Sequence, residues 1–337
     1  MAPEILLRLP PDEPAYLARA ALVCKPWRRL LTDQAFLRSY RAFHPTPPML
    51  GFVLNLKEHS GGMARFFPTS SFRPVNSDYP GMKVLDARHG RVLLQTAMDE
   101  ELVVWDPVTD EEWKIPEVPD FALGFNAAVL CAAAGCDHLD CHGGPFSVAF
   151  VGSDDHGMTF ACTYSSEIGS WSQRIEIEEP AFVDGRPSVL VGNTVYFTCD
   201  PYNNFKIVGY NVVAQELTVI WPPSQHEYYS CTVIVKAEDG TLGFAGVQNG
   251  RLYLWSVNAD PDGDVEWVQR RVIHITRRCS ALVASRNHLR SLASPTALAS
   301  FSLGQVTRCS PWSSSQAMSV RYTPAGQQTM TSLLSPT

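Results

Sequence analysis

Two hydrophobic rhythms divide the chain. Through residues 1–43 apolar positions recur every three or four residues, with Leu17, Ala20, Ala21 and Cys24 on one helical face, Trp27, Leu30 and Leu31 on a second, and Phe36, Leu37 and Tyr40 on a third. Prolines and acidic caps punctuate them. Asp12 is placed to cap the first of these helices with Pro14 in its first turn, Pro26 ends it and opens the next, and Asp33 is placed to cap the third. Ile5, Leu6 and Leu9 read as the last turn of an earlier helix. Helices this short bury little surface alone, so the pattern predicts a small helical module with an apolar partner.

After the stiff HPTPP linker of residues 44–48 the rhythm changes to short runs such as RVLLQTA, ELVVWD, FSVAFVG and RLYLWSV, separated by Gly, Asp, Asn and Pro. Alternation of this kind predicts an all-β domain over residues 49–275. Four segments also share one layout, an aromatic-marked strand, a polar turn and a strand carrying Trp. The leading aromatics Trp105, Tyr164, Tyr210 and Trp255 are 59, 46 and 45 residues apart, and the trailing Trp113, Trp171, Trp221 and Trp267 are 58, 50 and 46 apart. That period matches a four-stranded propeller blade whose outer strands form a hairpin. Blades are expected near residues 49–86, 90–118, 127–178, 186–221 and 230–275. A closed ring hides its edge strands, so a further blade is expected after Ile275. Residues 276–337 read otherwise: 20 of those 62 are Ser or Thr, without clear hairpin signals. The expected fold is mostly β, with a small N-terminal helical module, an incomplete or irregular propeller-like ring and a poorly ordered tail.

Composition sharpens this picture. A hydrophobic fraction of 45% against 18% charged residues supplies a real core and excludes a mostly disordered chain. The net charge of −7 hides a split, because the tail holds six Arg and no acidic residue, a +6 that leaves −13 on the rest. An acidic body argues against nucleic acid as a partner and mildly favours a basic protein surface. The nine Cys are odd in number and irregularly spaced, no secretory leader precedes them, and no apolar run is long enough for a bilayer. Reduced thiols in the cytosol or nucleus, away from membranes, are expected.

Candidate chemistry is sparse. CAAAGCDHLDCHGG gathers Cys131, Cys136, Cys141, His138 and His142, groups that suit zinc, but at C-x4-C-x4-C-H spacing and without a second pair. Buried small cysteines beside a loop are the expectation, with no metal and no cofactor. The acidic groups Asp99, Glu100, Glu101, Asp106, Asp110, Glu111, Glu112, Glu176, Glu178 and Glu179 fall on hairpin tips and read as surface charge, not as a glycosidase pair. In WDPVTDEEW, Asp106-Pro107 is expected to start an Asx turn. Asp154-Asp155-His156 reads as a loop. No GxSxG, HExxH, phosphate-binding or dinucleotide motif is present, so no enzyme is expected.

The run EILLRLPPDEPAYLARAALVCKPWRRLLTDQAFLRSY, Glu4 to Tyr40, carries Leu9-Pro10, Val23-Cys24-Lys25, Trp27-Arg28, Leu30, Leu31 and Phe36 at the spacing of a known motif. It resembles the F-box, in the version found in large plant F-box families, and WDPVTDEEW resembles the recurrent turn of their associated β domains. The resemblance implies a non-catalytic substrate-receptor subunit of an SCF-type ubiquitin ligase. It would dock on a Skp-type adaptor, and through it a cullin, while the propeller-like domain recruits an unknown protein for ubiquitination. Leu9, Pro10, Leu17, Val23, Cys24, Trp27 and Leu30 match motif positions and are the implied adaptor contacts. Family members carry another Leu-Pro and helix ahead of this stretch and further β repeats in place of the tail, so the sequence reads as an F-box shortened at its start with an atypical C-terminus. The alternatives are a truncated member that targets nothing, or a β domain that binds a small molecule or glycan.

Overall fold

The computed structural model describes residues 2–11, 13–44, 49–56, 62–97, 100–119, 122–136, 138, 141, 143–199, 205–224, 229, 231–259, 265–274 and 316–321. Four helices come first: α1 (Ala2–Leu7), α2 (Pro14–Val23), α3 (Lys25–Leu31) and α4 (Gln34–Phe43). Asp12 and nearly all of the 44–48 linker lie outside the described residues; Glu13 occupies the N-cap position of α2. Its carboxylate accepts instead from Ser71 N at 3.2 Å, tethering the module to the β domain. Asp33 does cap α4, accepting from Ala35 N and Phe36 N at 3.0 Å each. Leu6, Ala20, Phe36 and Tyr40 form the buried centre of the module. Tyr40 fixes the first segment by donating its hydroxyl to Leu9 O at 2.7 Å.

Among the described residues, five antiparallel sheets follow. The first contains β1 (Met49–Leu56), β2 (Met63–Pro68) and β3 (Asp78–Pro80). The second runs β4 (Met82–Arg88), β5 (Arg91–Thr96), β6 (Leu102–Asp106) and β7 (Glu111–Lys114). The third has β8 (Gly124–Cys131), β9 (Phe146–Ser153) and β10 (Thr159–Ser165), with its outer strand broken into β11 (Ser170–Trp171) and β12 (Ile175–Ile177), both paired to β10. The fourth holds β13 (Val189–Val191), β14 (Thr194–Cys199), β15 (Lys206–Asn211) and β16 (Glu216–Ile220). The fifth holds β17 (Cys231–Lys236), β18 (Leu242–Gln248), β19 (Arg251–Ala259) and β20 (Val265–His274). The second and third sheets meet through their first strands, β4 beside β8, as do the fourth and fifth, β13 beside β17, as in the inner ring of a propeller, while the third and fourth also touch through outer strands β12 and β16. The boundary expected after residue 86 moves, because β4 is the first strand of the second sheet.

One tail segment joins the fold. β21 (Gln316–Arg321) pairs antiparallel with β1, placing Val53 opposite Met318, so a distant strand completes the first sheet in the order β21-β1-β2-β3. The other residues expected in the tail, 276–315 and 322–337, lie outside the described residues. Met318 and Val320 alternate with Ser319 and Arg321, a short strand signal inside a Ser/Thr-rich stretch.

The repeat is legible in the strands. Trp105, Tyr164, Tyr210 and Trp255 all sit on the third strand of their sheets, and Trp113, Trp171 and Trp267 on the fourth. The hairpin between them is built alike twice: Asp106 Oδ1 accepts from Val108 N at 2.8 Å and Thr109 N at 3.3 Å, and Asn211 Oδ1 accepts from Val213 N at 3.1 Å and Ala214 N at 3.0 Å. This is the Asx turn expected at Asp106, and Asn211 repeats it.

Polar side chains bridge the sheets near their first strands. Asn55 brackets Val84, accepting from its N–H at 2.7 Å and donating to its carbonyl at 3.0 Å. The register shifts there, between Val84 and Asp86. Asp86, fully buried, accepts from Val129 N on the third sheet at 3.0 Å and pairs with Arg88 at 3.1 Å. Asn126 donates to Asp184 O and Arg186 O at 2.9 and 2.5 Å, and Arg186 donates to Thr232 O on the fifth sheet at 2.9 Å. The Asp86 bridge satisfies a fully buried carboxylate and the others partly buried groups, and such directional bonds set the blades in register more sharply than apolar packing alone.

Candidate functional site

Two places carry chemistry or binding potential. In the helical module, Leu9, Leu17, Trp27 and Leu30 are partly buried and packed against the module's own centre. Pro10 and Val23 face outward, the latter 66% exposed, and Cys24 is half-buried between α2 and α3. Beside Val23, Leu22 is 84% exposed, and Ile5 and Tyr16 also face solvent. Lys25, Arg28 and Arg29, on the following helix α3, are also exposed. Leu22 lies off the helical stripe formed by Leu17, Ala20, Ala21 and Cys24, and that is the signal by which sequence reasoning finds it.

The second place is the connection from β8 to β9. Cys131 ends β8, and the chain then turns back twice at Gly135 and Gly143, whose φ values of +64° and +66° suit residues without a Cβ. The turns bring Cys131, Cys136, His138 and Cys141 together, with their four ligand atoms all within 4.8 Å of one another. Cys136 Sγ lies 3.8 Å from Cys141 Sγ, and Cys141 Sγ 3.7 Å from His138 Nδ1. Linear spacing counted against a metal centre here, yet the side chains converge; His142 lies outside the described residues. Burial, followed by the nearby Cys131 thiol, pushes the Cys141 thiol far up.

The turn between β4 and β5 supports this loop. His89 Nδ1 accepts from Cys131 N at 2.7 Å, which leaves the ring proton of the neutral imidazole on Nε2. Burial first, and His138 second, push its pKa down to about 3. The His89 ring stacks on His138 with centroids 4.3 Å apart and planes 5° from parallel. Arg91, 1% exposed, donates through Nη2 to Cys141 O at 2.7 Å and Gly144 O at 2.6 Å. Neither His89 nor Arg91 stands out from local spacing, because both lie a whole blade upstream.

Several of the acidic groups have structural partners. Asp110 accepts from Trp105 Nε1 at 3.1 Å, Glu112 from the Tyr79 hydroxyl at 3.0 Å, and Glu179 from Lys206 at 2.7 Å. Asp154 pairs with Arg174 at 2.6 Å, which holds its carboxyl below the usual range, and caps its own turn by accepting from His156 N and Met158 N. Asp99 lies outside the described residues. Among the described residues no helix is long and apolar enough to cross a membrane.

No family model matches the chain, and no curated protein matches it. Similar solved structures include that of TolB from Acinetobacter baumannii, 15% identical with a TM-score of 0.38, matched over 63% of this chain and 50% of that one. The chain thus spans half the length of that TolB structure. Another is BBS1N in complex with ARL6DN, 12% identical with a TM-score of 0.37, matched over 80% of this chain and 72% of that one. A functionally unknown protein from Desulfotomaculum acetoxidans is 12% identical with a TM-score of 0.35, over 66% and 80% of the two chains. Likenesses at this level carry no argument about what this chain does.

Proposed function

We propose that the chain is a non-catalytic substrate receptor of an SCF-type ubiquitin ligase, its helical module docking on a Skp-type adaptor linked to a cullin and its propeller-like domain recruiting a protein for ubiquitination in the cytosol or nucleus. The observation that carries this is the pair of outward-facing aliphatic side chains Leu22 and Val23 at the end of α2, inside the stretch that resembles an F-box. Docking of that kind is burial of aliphatic anchors inside a polar rim, and the exposed Lys25, Arg28 and Arg29 on α3 are candidates for such a rim. Within the implied contact set, Val23 and Pro10 are the direct contacts, Cys24 lies at the edge, and Leu9, Leu17, Trp27 and Leu30 hold the docking helices in place.

The test is capture of a purified Skp-type adaptor by the full chain. Replacing Leu22 and Val23 by Asp together is expected to weaken capture by about 100-fold or more, since each buried aliphatic side chain contributes about 1.5–3 kcal/mol. Both side chains are solvent-exposed, so the fold is retained and circular dichroism stays unchanged. Failure of the wild-type chain to bind the adaptor, or equal capture by the double variant, would overturn the proposal.

A further inference from the structure

We propose that Cys131, Cys136, His138 and Cys141 form a closed structural zinc site that pins the loop between β8 and β9 against the turn between β4 and β5. The proposal is independent of adaptor binding, because the cluster sits in the β domain. Three thiolates and one imidazole make up a set that structural zinc sites use, and four protein ligands leave no open position for catalysis.

Tetrahedral geometry makes the distances diagnostic. Zinc–sulfur bonds of about 2.3 Å and a zinc–nitrogen bond of about 2.0 Å separate paired sulfurs by about 3.8 Å and sulfur from nitrogen by about 3.5 Å. The sulfurs of Cys136 and Cys141 are 3.8 Å apart, and Cys141 Sγ is 3.7 Å from His138 Nδ1. A disulfide needs its sulfurs at about 2.05 Å, so this pair is not one. All four ligand atoms fall within 4.8 Å, a cage of the size one ion fills.

The surroundings match what a thiolate-rich centre requires. The three thiolates, the neutral imidazole and the ion together carry one net negative charge, and the buried guanidinium of Arg91 offsets it from beside the Cys141 and Gly144 carbonyls. Among the described residues, Arg91 Nε and Nη1 are buried without hydrogen-bond partners, and the guanidinium faces the charges of Asp106 first and of Cys141, Cys131 and Cys136 after it, so it can act on the centre through space. His89 holds the backbone of one ligand, Cys131, and stacks on the ring of another, His138, which fixes the ligand plane as outer partners do in metal sites. The ordering energy would come from the ion, since a loop with little apolar material does not order itself cheaply.

The experiment uses the full chain, produced with zinc in the medium and purified under reducing conditions. Elemental analysis is expected to find one zinc per chain. Exchange with Co2+ is expected to give the visible bands of a tetrahedral centre together with a thiolate-to-cobalt charge-transfer band. Cys136→Ser combined with Cys141→Ser should lose both signals, while Cys24→Ser, in the helical module, keeps them. Should the double variant fail to fold, the cobalt spectrum of the wild-type chain decides alone. Substoichiometric metal with no tetrahedral cobalt spectrum, iron in place of zinc, or zinc that persists in a folded double variant would each overturn the assignment.

Discussion

The indole N–H of Trp171, on the outer strand of the third blade, donates to the carbonyl of Pro116, just past the outer strand of the second, at 2.9 Å. The fifth blade repeats the contact, with Trp267 donating to Trp221 O at 2.7 Å just past the outer strand of the fourth. Trp171 and Trp267, two of the four trailing tryptophans, are therefore latches between successive blades. Trp171→Phe and Trp267→Phe keep the aromatic surface and remove the donor. Each is expected to cost about 1 kcal/mol, and the two effects should add because the sites share no partner. Urea unfolding of the single and double variants measures this, and a null effect from both would show that ring packing alone joins the blades.

Asp33 is the side-chain cap of α4, and its carboxylate serves two backbone N–H groups at once. Asp33→Ala is expected to cost the module about 1 kcal/mol. Hydrogen exchange at Ala35 and Phe36 should quicken by about fivefold, with the blades unaffected. Unchanged protection at those two amides would count against the cap.

Burial lifts the Asp86 carboxyl to about 6, opposed first by Arg88 and then by the Val129 N–H. A carboxyl raised on folding binds its proton more tightly in the folded chain, so its contribution to stability is full below the unfolded value of 3.8 and is lost as pH rises through about 6. The carboxyl carbon resonance of Asp86 is expected to titrate near 6. The loss of stability between about pH 4 and about pH 6 should be shallower in Asp86→Asn than in the wild-type chain. A midpoint in the ordinary carboxylate range would refute the assignment.

Gly51 on β1 leaves no room for a side chain, since an added Cβ would lie 2.3 Å from the Phe66 ring and 2.5 Å from the Phe67 carbonyl oxygen. Gly51→Ala is expected to destabilise the first sheet by about 1–3 kcal/mol, the ordinary cost of overpacking. Thermal unfolding reads it. An unchanged midpoint would mean that β1 moves away from β2 at little cost.

Much of the fold was legible because its signals are short-range. Period-two alternation marks the strands, aromatic intervals mark the blades, and Asp106 announces its Asx turn within four residues. The cysteine cluster was not legible in the same way. Its ligands lie close in sequence but outside familiar spacing, and their convergence depends on two left-handed glycines and on His89 and Arg91 from another blade.

The sequence by itself determined a helical head, an all-β body and the approximate blade count, since propensity and periodicity act over a few residues. Only the tertiary structure decided that Gln316–Arg321 pairs with β1, that Leu22 and Val23 face outward while Trp27 and Leu30 pack against the module's own centre, and that three sulfurs and an imidazole meet in one small cage. Each of those outcomes rests on contacts between segments far apart along the chain, or on which face a neighbouring element covers, and neither is written in local spacing.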